Sequence, residues 1–219
     1  MGWRSYCKSA GTRKGMSIPE EITVYHDRHC TKSTDFVWGR KIDDKICDGL
    51  LEFWENQRFL NVVEGQVYAH GDVQVDKDYK ESFDCIIPAQ IAMPMIQDYL
   101  GALQGVVDDY INQFPFCNTS KFRVVEPMSM QHYPIGGGFK KWHTERINSL
   151  PGSVYRHLVF MTYLNDVPDG GTEWYHQDLY IPAEKGYTVV WPADWTHFHR
   201  GRVSQTAEKK IITGWLSFI

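Results

Sequence analysis

Cysteine is sparse and unpatterned in this 219-residue chain. Cys7, Cys30, Cys47, Cys85 and Cys117 are scattered and odd in number, and no CxxC pair occurs. That argues against a disulfide frame and against a cysteine zinc knuckle, and it suits free thiols in a reducing, cytoplasmic setting. Any metal site must therefore draw on histidine and carboxylate. Positive charge is also short: 23 Lys and Arg stand against 27 Asp and Glu, with a formal charge of −4. A nucleic-acid partner would call for a basic face and a high pI, so none is expected. No apolar run approaches the roughly 18 residues that would span a bilayer, so no membrane association is expected either. The basic start MGWRSYCKSAGTRKG has no apolar centre and does not read as a secretion signal. Oligomeric state stays open.

What is present is a soluble globular composition, 42% hydrophobic and 23% charged, rich in Trp with eight residues. Residues 1–20 read as a disordered extension, with Met16 as a second possible start, and 21–219 as one domain. Helical periodicity marks the first part of that domain. Ile42, Ile46, Leu50 and Trp54 share a face over 42–57. Ile91, Met95, Tyr99, Leu103, Val107 and Tyr110 do so over 88–114, with Pro94 and Gly101 leaving room for a kink or break. Between them, GDVQVDKDYKESFD (71–84) reads either as a solvated loop or as a flap over a cleft. From about residue 116 the character changes. The segments 120–134, 154–166, 186–194 and 208–219 are β-branched and aromatic, separated by PIGGG, VPDGG, PAEKG and PADW. Short strands with such breaks predict an antiparallel sandwich or barrel. VPDGGTEW (167–174) reads as a hairpin connection. The expected picture is two helices packed outside a β-sandwich.

Within GFKKWHTERINS (138–149), His143 and Glu145 stand two apart and would share one face of a strand. More than 50 residues on, DWTHFHRGRVSQTAEKK offers His197 and His199. Two histidines and a carboxylate on one face of a metal leave three positions open, the arrangement that suits a non-haem Fe(II) oxygenase. A co-substrate takes two of those positions and dioxygen the third; a closed four-ligand zinc site would have no such room. Lys209, ten residues past His199, is either an exposed strand lysine or the cation for a co-substrate carboxylate. Period two alone does not choose between His197 and His199.

Together, YPIGGGFKKWHTE, YLNDVPDGGTEW, PAEKGYTVVWPADWTHFHRG and KKIITGW resemble the prolyl 4-hydroxylase-like branch of the Fe(II)/2-oxoglutarate-dependent dioxygenases. The resemblance covers residues 120–219 well, 40–115 more vaguely, and 1–20 not at all. It implies a mostly β fold with supporting helices: a double-stranded β-helix (jelly-roll, cupin-like) core over about 116–219 and helical support over about 40–115. It implies His143, Glu145 and His199 as iron ligands, Lys209 as the cation for the distal carboxylate of 2-oxoglutarate, and Tyr133 as a hydrogen-bond partner of that carboxylate. Fe(II), 2-oxoglutarate and O2 follow, with ascorbate as a candidate reductant. The substrate would be a peptidyl proline or a free amino acid or other small molecule. His197 would then stand either behind the ligands or at the entrance to the site. Three departures stand out. Glu145 replaces the usual aspartate, one residue is added between Tyr133 and His143 at the run Gly136–Gly138, and the chain reads HRGRVSQ where a proline is common. His157 and His176 read as satisfied strand histidines, Trp191 and Trp215 as core or pocket wall, and Arg156 as a strand cap or a pocket residue. The competing readings are a non-redox jelly roll that binds metal or sugar and a cupin-type isomerase or hydrolase. Neither explains a lysine ten residues past the last histidine.

Overall fold

Helix and strand fall where the periodicity changes. The computed structural model describes residues 35–57, 62–69, 72–147 and 150–219; the expected extension 1–20, Met16, Cys7 and Cys30 lie outside them. In chain order the elements are β1 (Trp38–Lys41), α1 (Asp44–Gln57), β2 (Val62–Glu64), β3 (Val67–Ala69), β4 (Asp72–Gln74), β5 (Lys80–Glu81) and β6 (Phe83–Ile87). Then come α2 (Pro94–Gln113), β7 (Phe122–Val124), β8 (Met128–Tyr133), β9 (Gly138–Phe139), β10 (Arg156–Tyr163) and β11 (Val167–Trp174). The chain ends with β12 (Leu179–Ala183), β13 (Tyr187–Pro192), β14 (His199–Gly201) and β15 (Lys209–Phe218). The protein is mostly β, with a double-stranded β-helix core.

The large sheet runs β1-β13-β10-β15-β8-β6-β2, with β7 also on β15; the smaller sheet is β12-β11-β14. All these pairs are antiparallel. Alternation along the central strands divides the interior. Leu158 and Phe160 of β10 and Ile212 and Leu216 of β15 pack toward the helices, with Leu50, Trp54, Tyr99 and Leu103. Val159, Met161 and Tyr163 of β10 and Ile211 of β15 face the smaller sheet, with Trp174, Leu179 and Trp191. Both faces are covered, so these strands read as apolar runs, not as clean alternations. Burying each such side chain contributes about 1.5–3 kcal/mol. Tyr99 also fixes α2 to the sheet, its hydroxyl 3.1 Å from Thr162 Oγ1, which lies 2.7 Å from Thr188 Oγ1.

Three expectations change. Pro94 does not kink a helix; it starts one at the first turn, where a missing N–H costs nothing, and Gly101 lies within α2 without a break. VPDGGTEW is not a hairpin connection but strand β11, paired on both sides. Its glycines mark close approach: a Cβ on Gly171 would lie 2.4 Å from the Ile181 carbonyl oxygen. The segment 71–84 is not a solvated loop either. It holds β4, β5 and the start of β6, with Lys80 and Asp84 buried, and β5 pairs with β9 beside the site.

Candidate metal centre

The glycine run that lengthens the Tyr133–His143 spacing is where the chain turns from β8 into β9, with Gly136 at φ +81. Beyond β9 the main chain of His143 pairs with His199, each N–H donating to the other's carbonyl at 3.0 Å. This bridge sets the two imidazoles side by side, ring centroids 4.2 Å apart. Phe139 stacks on His143 at 3.6 Å, and Trp191 meets His199 edge-on at 5.0 Å. Glu145 is placed by the end of the large sheet: its N–H donates to the Ala193 carbonyl at 3.2 Å, and the Thr144 hydroxyl donates to the same oxygen at 2.9 Å.

The side chains converge. One ligand atom from each of His143, Glu145 and His199 lies within 4.8 Å of the others, and this is the one such group among the described residues. Glu145 Oε1 is 3.4 Å from Nε2 of both histidines. Ligand atoms on one face of a metal with bonds of about 2.1 Å stand roughly 3 Å apart, close to that separation. The tautomers suit the same use. His143 Nδ1 lies 3.0 Å from the Lys141 carbonyl and His199 Nδ1 2.9 Å from the His197 carbonyl. A carbonyl only accepts, so each Nδ1 carries the proton and each Nε2 offers a lone pair inward. Burial pushes the His143 imidazole down, and the neighbouring His199 adds to the effect. Burial would raise the Glu145 carboxyl, but a proton on the facing imidazoles outweighs it through hydrogen bonding and charge and holds the carboxyl well below the usual range; a metal would take that proton's place between the three side chains. The donor set is thus two neutral nitrogens and one anionic oxygen, which suits a divalent cation.

His197 is elsewhere. The segment before β14 is a 3-10 turn, Trp195–His197, so strand alternation does not apply to it. The buried ring lies against the Asp35 carbonyl at 2.8 Å through Nε2 and the Thr196 hydroxyl at 3.0 Å through Nδ1. Of the two expected places it takes the one behind the ligands, where its carbonyl meets His199 Nδ1, and not the entrance. His157 lies on β10 with Nε2 2.8 Å from the Cys117 carbonyl; His176 is exposed in a turn rather than on a strand.

Lys209 and Tyr133 are cross-strand partners of β15 and β8. Lys209 is 4% exposed, and its Nζ donates to the Arg202 carbonyl at 2.9 Å. Burial lowers it to about 8, against a smaller upward effect of Asp169. Tyr133 donates its hydroxyl hydrogen bond to Gln131 Oε1. All five expected residues line one cavity of about 630 Å³. Its walls also include Trp191, Tyr68 of β3, and Tyr79 and Lys80 from 71–84, the segment expected to be a loop or a flap.

Trp215 and Arg156 both line the cavity, the pocket alternative of each expectation, but their contacts with Glu145 were not foreseen. Trp215 Nε1 donates to Glu145 Oε2 at 3.0 Å, and Arg156 Nη1 donates to the Glu145 carbonyl at 3.0 Å. Trp215 lies six residues past Lys209 on one strand, so period two alone puts both on the cavity face.

Residues 128–217, which hold Tyr133, His143, Glu145, Arg156, His199, Lys209 and Trp215, match the family model of the 2OG-Fe(II) oxygenase superfamily. That stretch is a 2OG-Fe(II) oxygenase domain. The protein is an enzyme of that class, prolyl 4-hydroxylase-like in fold. A Pseudomonas putida prolyl-4-hydroxylase superposes with a TM-score of 0.62 at 15% identity, covering 85% of this chain and 94% of that one. The viral collagen prolyl hydroxylase of Paramecium Bursaria Chlorella virus-1, in its 2OG complex, gives 0.62 at 15%, covering 84% and 97%. A Trichoplax adhaerens prolyl hydroxylase in complex with a hypoxia inducible factor oxygen degradation domain peptide fragment gives 0.64 at 17%, covering 84% of each. No curated protein matches the oxygenase at the sequence level. The family match implies Fe(II), 2-oxoglutarate and O2. No helix among the described residues is long and apolar enough to cross a membrane.

Proposed function

We propose that this oxygenase hydroxylates a C–H bond of a peptidyl proline or of a free amino acid or other small molecule, with His143, Glu145 and His199 as its iron ligands. The convergence of Glu145 Oε1 with both Nε2 atoms carries the reading. When bound, iron couples the decarboxylation of 2-oxoglutarate to succinate with oxygen insertion into the substrate. The chain's own residues bind and orient. Lys209 holds the distal carboxylate of 2-oxoglutarate, because a buried ammonium with only a carbonyl beside it is best satisfied by an anion. Tyr133 turns its hydroxyl from Gln131 to the same carboxylate. Phe139 and Trp191 pack against the imidazoles and keep that side of the cavity dry. A non-redox binding jelly roll or a cupin-type isomerase would have no use for Lys209.

The peptide in the Trichoplax complex makes a peptide the first substrate to try. The working unit is residues 21–219, cytoplasmic, with ascorbate as reductant. Fe(II) and 2-oxoglutarate added without oxygen should give the weak visible charge-transfer band of a keto-acid chelate. Oxygen should then release succinate with the right peptide or amino acid. Metal binding with neither the band nor succinate across that panel would sink the proposal.

A further inference from the structure

We propose that Trp215 and Arg156, anchored by Glu126, form a strap that positions the Glu145 carboxylate for metal; the idea rests on Glu145 being a ligand. The two oxygens of Glu145 have separate surroundings. Oε1 faces the imidazoles, 3.4 Å from each Nε2. Oε2 accepts from Trp215 Nε1 at 3.0 Å and lies 3.6 Å from Arg156 Nη1, which also donates to the Glu145 main-chain carbonyl at 3.0 Å. A glutamate has one more rotatable bond than an aspartate, so its carboxylate needs holding if one oxygen is to stay on the metal.

Arg156 is held in turn. Its guanidinium lies 3.5 Å from the centroid of the Trp215 ring. Nε donates to Glu126 at 3.0–3.1 Å and Nη2 at 2.6 Å, and the Ser217 hydroxyl donates to Glu126 at 3.1 Å. A free guanidinium would take Glu145 as a full bidentate partner and compete with a metal for it. Glu126 takes that pairing instead and keeps Arg156 one step back. A bulge makes the geometry possible. Between Arg156 and Leu158 the register of β10 on β15 slips, so Arg156 and His157 together oppose Ser217. Without the slip, Arg156 would share the helix-side face of Leu158; with it, Arg156 turns into the cavity.

The test is anaerobic titration of the full chain with Fe(II), and with Mn(II) as a redox-silent probe. Trp215→Phe keeps the ring under Arg156 and removes only the N–H. It should weaken metal binding about 10–100-fold with an unchanged melting temperature. In a Glu145→Asp background the shorter arm does not reach Trp215, so Trp215→Phe should cost nothing further. Glu126→Gln, whose side chain does not line the cavity, should also weaken the metal by releasing Arg156 onto Glu145. Unchanged affinity in Trp215→Phe or Glu126→Gln would overturn the strap, as would an equal loss in the Glu145 and Glu145→Asp backgrounds. If Glu145→Ala binds metal like the parent, the ligand assignment itself is wrong and the strap falls with it.

Discussion

Lys209 faces Tyr133 across the β15–β8 ladder, with its ammonium 5.3 Å from the centre of the tyrosine ring. The pair lies on the wall of the cavity that holds His143, Glu145 and His199, and the ammonium's hydrogen-bond partner is a carbonyl, not a carboxylate. That arrangement is costly without an anionic ligand and favourable with one.

Lys209→Met should therefore act in opposite directions on two observables. 2-Oxoglutarate affinity, read by calorimetry on the metal-loaded protein, should weaken by roughly 2–5 kcal/mol. The ligand-free protein should become more stable at neutral pH, by about 3 kcal/mol given the fall from 10.5 to about 8. Loss of affinity together with loss of stability would point to general damage.

The same shift sets a pH dependence. The folded-state value lies below the unfolded one, so between about pH 8 and 10.5 the unfolded chain binds more protons and stability rises with pH. The cost of the buried ammonium is present in full below about pH 8 and disappears toward 10.5. The stability gap between Lys209→Met and the parent should shrink over that window in denaturant titrations. Affinity for 2-oxoglutarate should fall above about pH 8 in the parent and stay flat in the variant.

His199→Ala and Glu145→Ala should lose metal, whereas His197→Ala should keep it at a cost in stability. His197 bonds outward to Asp35 and Thr196 while the other two side chains point inward. Equilibrium dialysis of the three variants decides it; metal loss confined to His197→Ala would reverse the assignment.

The cavity wall contributed by 71–84 depends on a buried ion pair. Lys80 Nζ is 2.5 Å from Asp84 Oδ2, with side chains 4% and 8% exposed, and the Ser82 hydroxyl donates to Asp84 at 2.7 Å. Asp84→Ala leaves the ammonium unpaired and should cost about 3–5 kcal/mol in urea unfolding. The double variant Lys80→Met, Asp84→Leu should recover most of that loss.

The periodic elements were legible from sequence because each pattern has a local cause. Ile46, Leu50 and Trp54 at helical spacing mark α1, with Ile42 just ahead of it, and β-branched runs between turn residues mark β8, β10, β13 and β15. The turn chemistry misled at VPDGGTEW, where glycine answers the paired strand β12 of the smaller sheet and not a bend. Residues 71–84 misled because Lys80 and Asp84 are polar by type yet buried as a pair, and hydropathy treats each alone.

His143, Glu145, His199 and Lys209 are legible as candidates from residue type and spacing, because their chemistry restricts what they can do, whereas Tyr133 follows only from the family resemblance. Which histidine faces inward, which nitrogen is free, and what grips the far oxygen of Glu145 were settled only by tertiary structure. The choice of His199 depends on a 3-10 turn that breaks strand alternation after His197. The place of Arg156 depends on a bulge that shifts period two by one residue. Sequence determines residue types and local periods; the side toward which a residue points is decided where the register of one strand meets another, and that information is not local to either strand.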